Sequence, residues 1–279
     1  MSTRPSDFAS GKGHRDENFP VASRLIAPKH RAPVMAFYRF ARAADDIADH
    51  PTATEAEKLA GLAAMRAGLE GSGAEEAMAL RAVMAGRGID PVHARDLLTA
   101  FERDVTVHRY ADWASLIDYC RYSAMPVGRY VLDVHGEDRT CWRASDALCA
   151  ALQVINHLQD CGKDYRALDR VYLPAEMIDE TGARVEDLAA PTASPSLLAA
   201  ISLAAERTCK LLVESAAFSS MIRDRRLAAE VAVIQRLAES LTHRLLTRDP
   251  LSQRVHHGKA EATVLALGAV ARHWLRRRG

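Results

Sequence analysis

Two short acidic segments hold the residues of this chain best suited to chemistry. The first, 42–49, reads Arg-Ala-Ala-Asp-Asp-Ile-Ala-Asp and sets Asp45 and Asp49 four residues apart. The second, 153–164, reads Gln-Val-Ile-Asn-His-Leu-Gln-Asp-Cys-Gly-Lys-Asp. It repeats that spacing between Asn156 and Asp160, and again between Asp160 and Asp164. On a helix, residues four apart share a face, so each segment would stack its oxygen ligands one turn apart. Mg²⁺ takes oxygen ligands, keeps several waters, and commonly combines one or two carboxylates with phosphate oxygens. Two such faces opposed across a cavity would hold divalent cations and, through them, a diphosphate. The metal would neutralise that diphosphate as a carbon–oxygen bond ionises. No P-loop or GxGxxG glycine loop accompanies the segments. Either segment alone reads equally well as a solvated face whose acids pair with Lys or Arg. A di-iron bundle also uses acidic helices, but it calls for Glu-x-x-His pairs, and no Glu here has a His three residues later.

The elements that must position these acids follow from hydrophobic periodicity. A helix predicted over about 32–48 brings Val34, Phe37, Tyr38, Ala41 and Ala44 to one side, ends in the first acidic cluster and is stopped by Pro51. Residues 27–31 read as a turn before it, and 17–26 as a helix-like lead-in. Amphipathic Ala-rich helices are expected over 54–69 and 74–85, separated by Gly71-Ser72-Gly73. Ile89 or Asp90 near the cap, with Pro91 in the first turn, opens another helix to about Val107. A further one runs from Asp112-Trp113 to Val134, bent or broken at Pro126. The second cluster rides on a long helix over 143–162, and 165–174 reads as irregular. Helical patterns continue over 175–181, 196–220, 227–246 and 260–275. Strand-like alternation is almost absent and nothing repeats. The expectation is an all-α fold: a flexible segment at 1–16, then one domain at 17–279.

Composition narrows the function. The 279 residues suffice for a sizeable core, and the net charge of +1 gives no case for nucleic acid. No apolar run approaches a membrane span, and 1–16 lacks a secretory h-region. Five scattered cysteines, none in a CxxC pair, point to a reducing cytoplasm and to small buried apolar residues. Histidines such as His108, His135 and His243 read as surface or structural residues.

From Glu17 to Arg254 the chain resembles the squalene/phytoene synthases, which join prenyl diphosphates head to head. Tyr38-Arg39-Phe40-Ala41-Arg42, followed by Asp45-Asp46-Ile47-Ala48-Asp49, is similar to the family's Y-x-x-x-R-x-x-DDxxD motif. Tyr119-Cys120 through Ala124, Val127 and Gly128 resembles its Y-C-x-x-x-A-x-x-V-G segment. Gln153, Asn156, Asp160 and Asp164, then Arg170-Val171-Tyr172-Leu173-Pro174, resemble its second aspartate motif and R-[IV]-Y-L-P tail. The resemblance implies an isoprenoid-synthase helical bundle with a central cavity and Mg²⁺. By motif position Asp45, Asp49, Asn156 and Asp160 would hold the metal, with Asp164 supporting them. Tyr38, Arg42 and Gln153 would contact the diphosphate or its metal-bound waters. Tyr119 would line the reacting centre and stabilise a carbocation.

The chain also departs from that pattern. The second motif usually reads N-x-x-R-D-x-x-E-D, and here Gln159 stands for the Arg and Lys163 for the Glu. A condensing enzyme ionises two prenyl diphosphates in turn, and the altered positions suggest a site that does less of that work. The segments 17–23, 121–128 and 156–161 resemble a bacterial branch of the family that serves squalene and hopanoid synthesis. That branch takes presqualene diphosphate, expels diphosphate, rearranges the cation and lets water capture it as hydroxysqualene, without NADPH. The alternatives are a condensing presqualene diphosphate, squalene or phytoene synthase, or a non-catalytic family member acting as a binding factor. The basic end, Arg272-His273-Trp274-Leu275-Arg276-Arg277-Arg278, suits either a solvated tail or peripheral contact with the inner membrane face. Functional coupling to other squalene-pathway enzymes would follow.

Overall fold

The computed structural model describes residues 26–276. The expected loose segment at 1–16, and all of the 17–26 lead-in except Ile26, lie outside them. The described chain is all-α, its helices joined by short irregular segments, and divides into two compact units, one of 26–107 with 121–137, the other of 108–120 with 138–276.

In the first unit, α1 spans Pro28–Ala48. The turn expected at 27–31 is instead helical, because Pro28 sits at N1, where a missing N–H is no loss. Pro33, inside the helix, cannot donate to the Lys29 carbonyl. Arg87 does so instead, through Nη2 at 2.6 Å. The Pro33 carbonyl accepts from the Tyr130 hydroxyl at 3.1 Å. Tyr130 belongs to α6 (Met125–His135) and stacks on Phe37 at 4.1 Å; burial pushes its phenol up to about 12. Val34, Phe37, Phe40, Ala44 and Ile47 form the buried face of α1, while Tyr38 and Ala41 are half-buried. That face packs against α2 (Glu55–Glu70), α3 (Glu75–Ala85), α4 (Val92–Thr106) and α6.

Local chemistry sets the ends of these helices. Thr54 and Glu57 cap α2 reciprocally. α4 is capped by Pro91 itself rather than Ile89 or Asp90, and Asp90 Oδ1 accepts from the Val92 N–H at 2.8 Å. Gly61 lets α2 lie close to α1, since a Cβ there would stand 2.9 Å from Ile47 Cγ2. Fully buried Phe40, Ile47, Leu62 and Met65 contribute roughly 1.5–3 kcal/mol each. The break expected at Pro126 is present: α5 (Trp113–Ser123) stops before Ala124, and Pro126 takes the second position of α6.

In the second unit α7 spans Trp142–Leu168, longer than expected. Residues 163–168 contain no breaker; Lys163 and Ala167 face solvent, and exposed Arg166 donates from Nη1 to the Leu188 carbonyl at 3.3 Å. The irregular segment expected from 165 therefore begins only at Asp169, which has φ 51. Asp is one of the few non-glycine residues at home in that left-handed region. Arg109 secures the reversal by donating to the Asp169 carbonyl and, at 2.5 Å, to its carboxylate. The Val171 N–H then donates to the His108 carbonyl at 2.9 Å. Arg109 and Val171 form the single β-bridge among the described residues.

The unit continues with α8 (Ala175–Thr181), α9 (Pro195–Ser215), α10 (Phe218–Met221), α11 (Arg225–Leu245) and α12 (Lys259–Arg276). The helix expected over 196–220 is thus interrupted after Ser215, whose buried hydroxyl donates to Gln235 of α11 at 2.8 Å. α7 packs against α9 and α11, and α12 packs on α11. Gly162 permits close approach on α7: a Cβ there would meet Leu251 Cδ2 at 2.5 Å and the Leu188 carbonyl at 3.1 Å.

Candidate active site

The last turns of α1 carry the first set of groups. Ile47 and Ala48 bury one side, which turns Asp45, Asp46 and Asp49 to the half-buried side with Arg42. Arg42 holds Asp45 Oδ2 at 2.8 Å and Asp46 Oδ1 at 2.7 Å. Its guanidinium is therefore engaged with the acids themselves. The Asp45 carboxyl is pushed up to about 7, first by desolvation and next by Asp49, with Arg42 pulling it down and Asp104 and Asp46 adding to the rise. Tyr38, two turns earlier than Asp45, is half-buried.

α7 carries the second set. Asn156, Asp160 and Asp164 are half-buried along one face. Lys163 Nζ stands 3.8 Å from Asp160 Oδ2, a loose and exposed pair. Gln159 is buried, and its side-chain nitrogen and oxygen form no hydrogen bond to described residues. Cys161 is buried as well, and burial pushes its thiol up to about 12. Cys120 behaves likewise, so both are apolar packing rather than nucleophiles.

Tyr119 belongs to an aromatic group within the same unit as α7. Its ring lies 5.3 Å from Tyr110, 5.5 Å from Tyr172 and 5.9 Å from His157. His157 and Tyr172 stack at 3.5 Å with planes 12° apart. The Gln153 amide donates from Nε2 to His157 Nε2 at 3.1 Å. An amide nitrogen cannot accept, so the imidazole carries its proton on Nδ1. Burial, and then the Arg170 charge, lowers His157 to about 3 and keeps the ring neutral. His157 was not among the residues expected from the sequence to serve a site. Its only signal there was its place between Asn156 and Asp160.

These donors fit a hard divalent cation. In the first unit Asp45 and Asp49, and in the second Asn156 and Asp160, each offer oxygen ligands, which suit Mg²⁺ better than zinc. Burial and then Asp49 raise the Asp45 carboxyl, and a bound cation would favour its charged form. Neutral aromatic faces beside α7 can stabilise a cation without attacking it.

Comparison with known proteins agrees with this chemistry. A family model described as squalene/phytoene synthase matches residues 13–261. A protein named hydroxysqualene synthase from Zymomonas mobilis subsp. mobilis is 56% identical over 268 residues, 95% of this chain and 90% of that protein. One of the same name from Rhodopseudomonas palustris is 53% identical over 277 residues, 99% of this chain and 95% of that protein. The crystal structure of squalene synthase HpnC from Alicyclobacillus acidocaldarius is 32% identical with a TM-score of 0.70, covering 80% of this chain and 85% of that one. With the isoprenoid-synthase helical fold and both aspartate segments in place on helices, this chain belongs to the squalene/phytoene synthase family.

Proposed function

We propose that this protein is a hydroxysqualene synthase, converting presqualene diphosphate and water to hydroxysqualene and diphosphate in a bacterial route to squalene and hopanoids. The observation that carries this is the 56% identity, over 95% of the chain, to a hydroxysqualene synthase. The neutral Gln159 and basic Lys163 support it against a condensing prenyltransferase, because a motif that usually holds Arg and Glu is altered at both positions. Residues 17–279 act as one catalytic domain, in the cytoplasm and in functional contact with other enzymes of the pathway.

Asp45, Asp49, Asn156 and Asp160 would hold Mg²⁺, with Asp164 supporting α7's share. Mg²⁺, when bound, neutralises charge on the departing diphosphate. Arg42 adds a fixed positive charge beside Asp45 and Asp46, and Tyr38 and Gln153 contact the diphosphate or its waters. Tyr119, with Tyr110, Tyr172 and His157, presents π-faces to the positive carbon skeleton. His157 does not compete as a base, since its Nε2 lone pair is taken by Gln153. That bond fixes the Gln153 amide and leaves its carbonyl oxygen as the acceptor on the other side. There it can orient the water that closes the reaction: a carbon–oxygen bond forms, the diphosphate bond has broken, and one proton goes to solvent.

The test is mass-spectrometric product analysis with presqualene diphosphate and farnesyl diphosphate offered separately with Mg²⁺. The expected result is hydroxysqualene and diphosphate from the first substrate and no product from the second. Condensation of farnesyl diphosphate would make this chain a head-to-head synthase, and turnover of neither would leave a non-catalytic family member.

A further inference from the structure

α12 leaves four of its larger apolar side chains exposed. Its less exposed side, toward α11, includes Ala262, Leu265, Ala266, Ala269, Val270 and His273. Its outward side carries Val264, Leu267, Trp274 and Leu275, which are 69%, 66%, 44% and 70% exposed. Nine large hydrophobic residues are exposed among the described ones, and these four share one helix. At 3.6 residues per turn, they and exposed Ala271 fall within an arc of about 100°. An apolar arc of that width normally faces a core; here it faces outward.

Charge identifies what would cover it. Residues 259–279 contain Lys259, Arg272, Arg276, Arg277 and Arg278 but a single acid, Glu261, and Glu261 is paired with Arg244. Two copies of this chain meeting face to face through α12 would bring two strongly basic segments together, which like-charge repulsion opposes. An anionic lipid surface complements both features: headgroup phosphates meet the arginines, and the acyl boundary takes Leu, Val and an interfacial Trp. No helix of the described residues is long and apolar enough to cross a membrane, so contact through α12 is attachment to a surface.

We propose that α12 seats this protein on an anionic bilayer, with Val264, Leu267, Trp274 and Leu275 entering the headgroup–acyl boundary, exposed Arg272 beside them, and the basic composition of the 259–279 sequence favouring an anionic surface. The surface argument is independent of the reaction, while the proposed C30 substrate and product, which partition into lipid, give the attachment a purpose.

The test uses the full chain without substrate, so its failure is separate from failure of the proposed reaction. Sedimentation with vesicles of phosphatidylcholine and phosphatidylglycerol should carry the protein down, with at least about tenfold weaker binding to pure phosphatidylcholine, since each basic residue adds about 1 kcal/mol near an anionic surface. Binding should shift tryptophan emission to the blue, and Trp274→Phe should remove that shift. The double variant Leu267→Glu with Leu275→Glu should lose vesicle binding while keeping the parent's thermal unfolding and its turnover in detergent. Equal sedimentation of parent and double variant, or no binding by the parent, overturns the proposal. A dimer broken by Leu267→Glu, with no vesicle binding, would assign the face to a second copy and overturn it equally.

Discussion

Asp45 is an acid held above its ordinary range inside a ring of acids, and that fixes the sign of its effect on stability. Its folded-state value is raised, so its contribution is full below about pH 4, where it is protonated in both states. The contribution is then lost as pH rises toward 7. Asp45→Asn should therefore raise the melting temperature of the metal-free protein at pH 8 and leave it unchanged near pH 4. The side chain keeps 36% of its surface accessible, so solvent screening trims the gain to about 1 kcal/mol, or roughly 2–4 °C. Added Mg²⁺ should stabilise the parent at pH 8 and not the variant, and a calorimetric pair of scans at each pH decides it. His157 makes a different kind of prediction. His157→Phe keeps a ring to stack on Tyr172 but cannot accept from Gln153. The alcohol product should fall about tenfold, as loss of one orienting hydrogen bond allows, while diphosphate release changes less than about threefold. Equal losses in both would reduce His157 to simple packing. The spacing of Asp45 with Asp49, and of Asn156 with Asp160, announced that each pair shares a helix face, because period alone puts them there. Nothing local announces that His157 will meet Tyr172, since that contact requires the end of α7 and the reversal after it.

Among elements, helix identity was legible and helix ends were less so. Periodicity located α1 through its apolar stripe, yet the 27–31 segment with Pro28 looked like a turn. Pro28 in fact initiates the helix, and the cost of Pro33 is met by Arg87, a donor 54 residues downstream that no window of sequence reveals. α7 ran past its expected end for the complementary reason: a polar stretch without a breaker is as good a solvated helix as it is a loop. The closeness of α2 to α1 gives a direct test. In Gly61→Ala the new Cβ would lie 2.9 Å from Ile47 Cγ2, on a buried β-branched side chain with little freedom at χ1. Overpacking costs about 1–3 kcal/mol, against roughly 0.5–1 kcal/mol gained by removing glycine from a helix. The urea midpoint should drop, and turnover with it, because Ile47 lies between Asp45 and Asp49 on α1. An unchanged midpoint would show that α1 yields freely, and α2 would then not be what sets the acidic end.

For the whole molecule, the sequence carried the fold class and the family well, since both rest on helical period and on motifs spread from Tyr38 to Pro174. It did not show the division into two compact units, each of which carries one set of acids. That division comes from long-range packing, and the chain enters the first unit twice. Nor did it show that α12 faces the wrong way by ordinary amphipathic logic, because a periodic pattern defines a face without saying which side meets the protein. One consequence belongs to the bend at Asp169. His157 and Tyr172 are 15 residues apart in sequence and still stack ring on ring. α7 runs on past His157 to Leu168, and the chain then doubles back alongside it. The path between the two rings is a closed circuit, and each added or deleted helical residue would turn everything beyond it by about 100° and part the rings. Lineages that depend on this contact can exchange residue types within the circuit but not their number. The segment is free to vary in spelling and fixed in length.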